Sequence, residues 1–76
     1  MCGIVGFYGH DEVVYDLVSG LTALQHRGQD SAGVVTFKDT FHVKKGLGLV
    51  SNVFREKNLQ RLTGHIGIGH VRYTTQ

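Results

Sequence analysis

The first apolar run of the chain has the pattern of a β-strand. Residues 3–8 are apolar or glycine at every position, and Ile4 and Tyr8 share one side of this segment. Val5 and Phe7 share the other side. A strand that is apolar on both faces is typical of one buried between two layers. The segment therefore predicts a buried first strand.

The next apolar positions recur at helical spacing. Asp11 is a residue type that caps helix N-termini, and Glu12 suits the first turn of a helix. Gly28 is a plausible stop after the last turn. We therefore predict a helix over residues 12–25, with one apolar stripe formed by Val14, Leu17, Val18, Leu21 and Leu24.

The middle of the chain predicts a hairpin and a short helix. Residues 32–37 are mostly apolar and β-branched, whereas residues 41–44 alternate between apolar and polar. With Lys38 and Asp39 between them, they predict a buried strand followed by a half-exposed one. Ser51 then predicts the cap of a short irregular helix, whose apolar anchors are Phe54, Leu59 and Leu62.

The final segment, residues 65–72, predicts a strand with two unlike faces. One face carries Ile66, Ile68, His70 and Arg72, and the other carries Gly67, Gly69 and Val71. Two glycines on one face leave a flat surface that another backbone or a ligand can approach. We expect the opposite face to end with Arg72 at a sheet edge or cleft. Strands and helices together predict an α+β fold.

Composition limits the class of protein. The 76 residues make one domain at most, and a chain of this size buries about 60% of its unfolded surface. The single cysteine rules out a disulfide within the chain, and a free thiol suits a reducing compartment. No basic leader and no apolar run of roughly 20 residues are present. We therefore predict a cytoplasmic protein without a membrane partner.

The charge balance argues against nucleic acid. Eight basic and six acidic residues give a net charge of +2, too small to indicate a nucleic-acid partner. The one basic concentration is interrupted by Glu56, and we interpret it as a solvated surface. Its members are Lys44, Lys45, Arg55, Lys57 and Arg61.

Cys2 is the first candidate for chemistry. A lone cysteine is most often a small buried hydrophobe, but this thiol follows Met1 directly. If Met1 is removed, the thiol and a free α-amino group lie on one residue. Their reference pKa values are about 8.5 and about 8, so the amine can accept the thiol proton at neutral pH. That pairing is a recognised way of activating a nucleophile.

The other polar clusters lie near glycines at the ends of elements. Arg27 and Asp30 fit an ion pair at a helix C-terminus. Arg72 fits either a solvated charge or a bidentate grip on a carboxylate. His26 and His70 lack the close ligand spacing of a zinc site, so we predict no metal site. The glycines near residue 68 lack the helix-opening glycine of a dinucleotide fingerprint.

Three ordered motifs together resemble a known family. They are Cys2-Gly3-Ile4-Val5-Gly6, the Leu24–Gly33 segment, which reads Leu-Gln-His-Arg-Gly-Gln-Asp-Ser-Ala-Gly, and Gly69-His70-Val71-Arg72-Tyr73-Thr74-Thr75. In order and spacing they resemble the start of the glutaminase domain of class II glutamine amidotransferases. Gln29 and Tyr73 favour the branch that acts on phosphoribosyl pyrophosphate in purine biosynthesis over the glucosamine-6-phosphate synthase branch, where tyrosine and tryptophan are typical.

The resemblance implies a fold and a set of roles. The fold is of the N-terminal nucleophile hydrolase type, with antiparallel sheets sandwiched between helices, and residues 1–76 would be the N-terminal portion of that domain. Cys2 would attack the side-chain amide of L-glutamine. Arg72 would hold the substrate α-carboxylate, and Thr75 would contact the substrate nearby. Arg27 would shape the site around the nucleophile.

The resemblance also implies parts that lie beyond Gln76. These are an Asn-Gly pair for the oxyanion hole, an acidic residue for the substrate amino group and a phosphoribosyl-transfer domain that uses Mg²⁺. It leaves open whether the parent protein holds an iron–sulfur cluster. The parent is expected to be a homo-oligomer. Because loss of one oxyanion donor can cost about 10² to 10³ in rate, we expect the 76 residues alone to be a very poor glutaminase.

Two alternatives remain at the level of sequence. One is another class II amidotransferase, such as glucosamine-6-phosphate synthase. The other is a small, non-enzymatic α/β interaction module, whose cysteine packs in a core and whose basic residues meet an acidic partner.

Overall fold

The computed structural model describes residues 2–9, 11–25 and 29–73. It contains each predicted strand and the predicted first helix, with boundaries that differ by a few residues, and it has two four-residue helices where one short helix is predicted. In chain order the elements are β1 (Cys2–Tyr8), α1 (Val14–Leu24), β2 (Gln29–Lys38), β3 (Thr40–Leu47), α2 (Val50–Val53), α3 (Glu56–Leu59) and β4 (Ile66–Tyr73). None of these helices is long and apolar enough to span a membrane.

The four strands form one antiparallel sheet in the order β1-β4-β2-β3. The last strand of the chain therefore lies between the first strand and the β2–β3 hairpin. Its backbone groups pair on both sides, so β4 is an interior strand. Arg72 is expected at a sheet edge or in a cleft, and the edge is wrong, since only β1 and β3 are edges of the described sheet.

The helices cover one face of the sheet, and the hydrophobic core lies between the helices and the sheet. Leu17 and Leu21 of α1 are fully buried and pack against the glycine face of β4. A Cβ atom built on Gly67 would lie 2.7 Å from Leu17 Cδ1, and one on Gly69 would lie 3.0 Å from Leu21 Cδ1. The flat surface predicted from the two glycines is therefore occupied by α1.

The opposite face of the sheet is open and largely apolar. Ile4 is 70% exposed, although the pattern of β1 predicts a buried strand. That prediction is wrong because the described helices pack against only one side of the sheet. The prediction of a buried first hairpin strand fails for the same reason. Large apolar side chains exposed on this open face are Ile4, Tyr8, Val35, Phe37, Phe41, Val43, Leu47, Ile66 and Ile68.

Two predicted helix caps are also wrong. Helix α1 has Val13 at its N-cap without a side-chain cap bond, so Asp11 does not cap it. The carboxylate of Glu12 instead accepts a hydrogen bond from the backbone N–H of Gly64. The N-cap of α2 is Leu49, and Ser51 lies inside that helix. The predicted anchors hold better: Phe54 and Leu62 are buried, and Leu59 is partly buried against the core.

A single antiparallel sheet with helices confirms the predicted α+β class. The predicted sandwich has more than one sheet between helical layers. The described residues form one sheet with a helical layer on one side. The structure is therefore that of a partial domain, with an apolar sheet face available for further packing.

Candidate active site

The pairing of three strands brings candidate residues together at one end of the sheet. In the β1–β4 pair Cys2 lies opposite Arg72, and in the β2–β4 pair Ser31 lies opposite Arg72. Residues directly opposite in antiparallel strands have Cα atoms about 4.5–5.5 Å apart. Because paired positions share a face of the sheet, positions 2, 72 and 31 form one row on the open face.

Arg72 is the charged residue at the centre of this row. It is exposed, whereas Val71 and Tyr73 on either side of it are buried against the helices. The alternation of β4 therefore directs Arg72 to the open face. His70, two residues earlier on the same face, is partly buried. An exposed guanidinium at a strand end can hold a carboxylate with two parallel hydrogen bonds.

A backbone irregularity lies beside Arg72. The β2–β4 register pairs Gln29 with Tyr73 and Ser31 with Arg72, so Asp30 is an extra residue on β2. The carbonyl of Asp30 accepts a hydrogen bond of 2.9 Å from the backbone N–H of Gly48. Bulges of this kind often lie next to active sites, where they change the direction of a strand.

Tyr73 connects the end of β4 to the end of α1. Its side chain is 7% exposed, and its hydroxyl donates a hydrogen bond to the carbonyl of Leu24. The next residue, Gln25, accepts a hydrogen bond of 3.0 Å from the backbone N–H of Val50 through Oε1. These two bonds fix the C-terminal end of α1 against β4 and α2. Sequence reasoning missed this role, although Tyr73 shares the buried face of β4 with Val71.

We expect Tyr73→Phe to lower the free energy of unfolding by about 1 kcal/mol. The ring stays in place, but the carbonyl of Leu24 loses its donor. Urea denaturation followed by circular dichroism measures the change. Tyr15→Phe is the matched control, because the hydroxyl of Tyr15 is exposed and 3.5 Å from Glu56 Oε1, so its loss should be close to neutral. Equal stability of the two variants would contradict the anchoring role of Tyr73.

Several predicted site residues lie outside the described residues. Arg27, Thr75 and His26 belong to this group, and so does Gly28, the predicted helix stop. For Cys2 the structure describes the backbone in β1. The site as described therefore consists of the Cys2 backbone, Arg72 and the β2 residues beside them. Within residues 2–9, 11–25 and 29–73, no group of three or more metal-binding side chains is present.

Comparison of the sequence with known proteins identifies similar chains over nearly its full length. The amidophosphoribosyltransferase of Pseudomonas aeruginosa is 54% identical over 76 residues, which are 99% of this chain and 15% of that protein. The enzyme of the same name from Escherichia coli is 52% identical over 77 residues, with the same coverage. The Methanocaldococcus jannaschii enzyme is 50% identical and matches over 17% of its length. No protein-family model matches the chain.

Comparison of the structure leads to the same group of enzymes. A structure of the allosteric regulatory enzyme of purine biosynthesis superposes with a TM-score of 0.89 at 39% identity, covering 99% of this chain and 16% of that one. The glutamine phosphoribosylpyrophosphate amidotransferase of B. subtilis, complexed with ADP and GMP, superposes with a TM-score of 0.87 at 39% identity over 17% of its length. This chain thus spans about one sixth of the relatives that it matches.

Proposed function

Because the chain matches the N-terminal region of amidophosphoribosyltransferases over 99% of its length, we propose that it is the nucleophile-bearing part of a glutamine amidotransferase. The parent enzyme releases ammonia from L-glutamine and passes it to phosphoribosyl pyrophosphate, which yields phosphoribosylamine for purine biosynthesis. The observation that carries the proposal is the pairing of Cys2 with Arg72. The register sets the backbones of the two residues opposite each other, and this supports the proposal that Cys2 is the nucleophile and Arg72 the carboxylate anchor for one amino-acid substrate.

The thiol of Cys2 supplies the nucleophile. After removal of Met1, the α-amino group accepts the thiol proton while sulfur attacks the side-chain amide carbon of glutamine. The tetrahedral intermediate collapses as the C–N bond breaks, and the resulting ammonium group donates its proton to the departing ammonia. Water then hydrolyses the γ-glutamyl thioester to glutamate and restores the thiol. Similar reference pKa values of amine and thiol make both proton transfers accessible near neutral pH.

Arg72 orients the substrate by holding its α-carboxylate. Its exposed position on the open face leaves the guanidinium accessible to a ligand, and a fixed carboxylate places the side-chain amide at a constant distance from the nucleophile. Thr75 adds a polar contact to the substrate, and Arg27 shapes the site around Cys2. Oxyanion stabilisation and recognition of the substrate amino group come from the Asn-Gly pair and acidic residue of the parent chain.

The remaining features of the proposal concern the parent protein. Its phosphoribosyl-transfer part would bind phosphoribosyl pyrophosphate together with Mg²⁺, which would supply positive charge to the pyrophosphate leaving group. We further propose a homo-oligomer in the cytoplasm, as suits a soluble biosynthetic enzyme with a reduced catalytic thiol. Among these features, the names of the relatives support only the phosphoribosyl-transfer activity.

Selective labelling of Cys2 in the full-length enzyme tests the proposal. A glutamine analogue with a diazoketone in place of the carboxamide should alkylate Cys2, detected by peptide mass. Arg72→Ala should slow this labelling about 10- to 100-fold at subsaturating reagent, because a charge-assisted bidentate contact is lost. Iodoacetamide has no α-carboxylate, so it should label both proteins at similar rates.

Lys38→Ala is the matched variant, because Lys38 is an exposed cation at the opposite end of the sheet. It should be labelled by the analogue at the normal rate. The proposed role of Arg72 would be excluded by equal slowing of both reagents in Arg72→Ala. Failure of the analogue to label Cys2 in active enzyme would exclude the amidotransferase mechanism and favour the non-enzymatic interaction module.

A further inference from the structure

A groove runs along the outer edge of β3. One cavity of about 410 Å³ is lined by four consecutive β3 residues, Phe41 to Lys44, and by Asn58, Arg61 and Leu62 on the other side. Successive residues of a strand point to opposite faces. A cavity lined by four in a row therefore lies against the edge of the strand. The loop around α3 forms its other wall.

The groove continues toward the C-terminal end of β3. A second cavity of about 450 Å³ shares Lys44, Asn58 and Arg61 with the first and extends to Leu47. Together the two cavities follow most of β3, which is eight residues long. The two cavities therefore extend along the strand, and an extended peptide could follow the same path.

The groove is strongly basic. Lys44, Arg55, Lys57 and Arg61 line it, and they are four of the eight basic residues of the chain. No aspartate or glutamate lines either cavity. Glu56 instead accepts a hydrogen bond from the hydroxyl of Tyr15 on α1, at 3.5 Å. Cations gathered without carboxylates between them attract an anionic partner.

The backbone of β3 has a free hydrogen-bonding side toward the groove. Within the described sheet β3 pairs only with β2. An edge strand presents N–H and C=O groups on its outer side, and these can pair with an added strand. The groove therefore combines two recognition elements, a backbone edge and a row of positive charges.

Lysine on an edge strand also has a protective role, because it opposes pairing with other chains. That role depends on the charge of the incoming strand. A second copy of β3 would bring Lys44 and Lys45 against identical charges, and the repulsion would disfavour pairing. A strand rich in carboxylates would be attracted by the same residues. The edge therefore excludes copies of itself and selects for an acidic strand.

We propose that the outer edge of β3 binds an extended acidic peptide segment as a fifth strand of the sheet. The backbone of the segment pairs with β3, and its carboxylates contact Lys44 and Arg61 on the two sides of the groove. Arg55 and Lys57 provide further positive charge in the part of the groove near α2 and α3. The partner is thus a protein segment of alternating acidic and small polar residues.

Binding of short labelled peptides to the full-length protein that contains these residues tests the proposal by fluorescence anisotropy. The probe is an eight-residue peptide of alternating glutamate and threonine, and the comparison peptide has lysine in place of glutamate. We expect binding of the acidic peptide only, with affinity that falls as salt is raised from about 50 to about 300 mM. Equal binding of both peptides would overturn the proposal.

Two matched changes separate strand pairing from general attraction of anions. The double variant Lys44→Glu with Arg61→Glu should weaken binding about tenfold or more, whereas Lys38→Glu, outside the groove, should change it little. An acidic peptide N-methylated at every residue keeps its charge but loses all of its backbone donors, and it should not bind. If it binds as well as the parent peptide, the groove attracts anions without adding a strand and the proposal is wrong.

Discussion

In the full-length enzyme, Cys2→Ala is expected to abolish synthesis of phosphoribosylamine from glutamine. Synthesis of the same product from free ammonia should stay largely intact. The substitution removes the atom that attacks the substrate amide, and no other thiol occurs in this part of the chain. Loss of the nucleophile in a well-studied protease lowers kcat by about 10⁶. We therefore expect glutamate release to fall by at least about 10⁴-fold. Steady-state assays with glutamine and with ammonium chloride measure the two activities.

The comparison of the two activities makes the expectation specific. Alanine is small, and position 2 is held in β1 by backbone pairing with β4. The fold should therefore not change. If ammonia-dependent synthesis falls as far as glutamine-dependent synthesis, Cys2 has a structural role. If glutamine still releases ammonia at the normal rate, Cys2 is not the nucleophile. Cys2→Ser offers a second variant, because a hydroxyl of higher pKa is a weaker nucleophile in the same position.

Gly64→Ala is expected to unfold much of the protein. Gly64 has φ of +140°, a conformation that residues with a Cβ rarely adopt. A Cβ at this position would lie 2.8 Å from the carbonyl carbon of Phe37 and 3.0 Å from its nitrogen. These atoms belong to the backbone of β2, so they cannot rotate away. We expect a loss of at least about 3 to 5 kcal/mol, measured by urea denaturation of the 76-residue chain.

The position of Gly64 explains why the loss should spread to the site. Its N–H donates to the carboxylate of Glu12, and its carbonyl accepts a hydrogen bond of 3.0 Å from the N–H of Val13. Displacement of Gly64 would therefore separate the start of β4 from the start of α1. A domain of this size has only about 5 to 15 kcal/mol of stability in total, and the strand that carries Arg72 would lose its place in the sheet.

Gly6→Ala is the matched control. Gly6 lies in β1, and an added Cβ would meet only the carbonyl oxygen of Gly67, at 3.7 Å. This is an ordinary contact, so the free energy of unfolding should change by less than about 1 kcal/mol. If Gly64→Ala is as stable as Gly6→Ala, the close approach of Gly64 to β2 is not a constraint on the fold.

Local pattern predicts the elements of this fold but not their arrangement. Helix α1 and strand β4 follow from periods of apolar residues, and the two faces of β4 are predicted residue by residue. The position of β4 between β1 and β2 depends on pairing between distant segments, which no local pattern contains. The same limit applies to Glu12, whose partner Gly64 is 52 residues away. Local pattern places Glu12 in the first turn of the helix, but the backbone group that its carboxylate binds is supplied only by the tertiary structure.

In the candidate site, too, the residue types are predicted from the sequence, whereas their arrangement depends on tertiary structure. The residue types of Cys2 and Arg72 indicate a nucleophile and a carboxylate anchor, and the resemblance to a family relates them to glutamine. Their placement on adjacent strands follows from the β1–β4 register, which the pattern of either strand alone does not determine. The anchoring bond of Tyr73 depends on the end of α1 lying beside β4, and hence on tertiary packing. The catalytic roles remain predictions that the proposed variants test.

The register of β1 against β4 also sets the timing of assembly during synthesis. Cys2 pairs with Arg72, and the chain from residue 3 to Arg72 takes about 4 to 14 s to make at about 5–20 residues per second. Throughout that interval the first strand has no β4 to pair with, so the N-terminus stays accessible to an aminopeptidase. Removal of Met1 can thus precede closure of the sheet. The order of translation leaves time to expose Cys2 before Arg72 has been made.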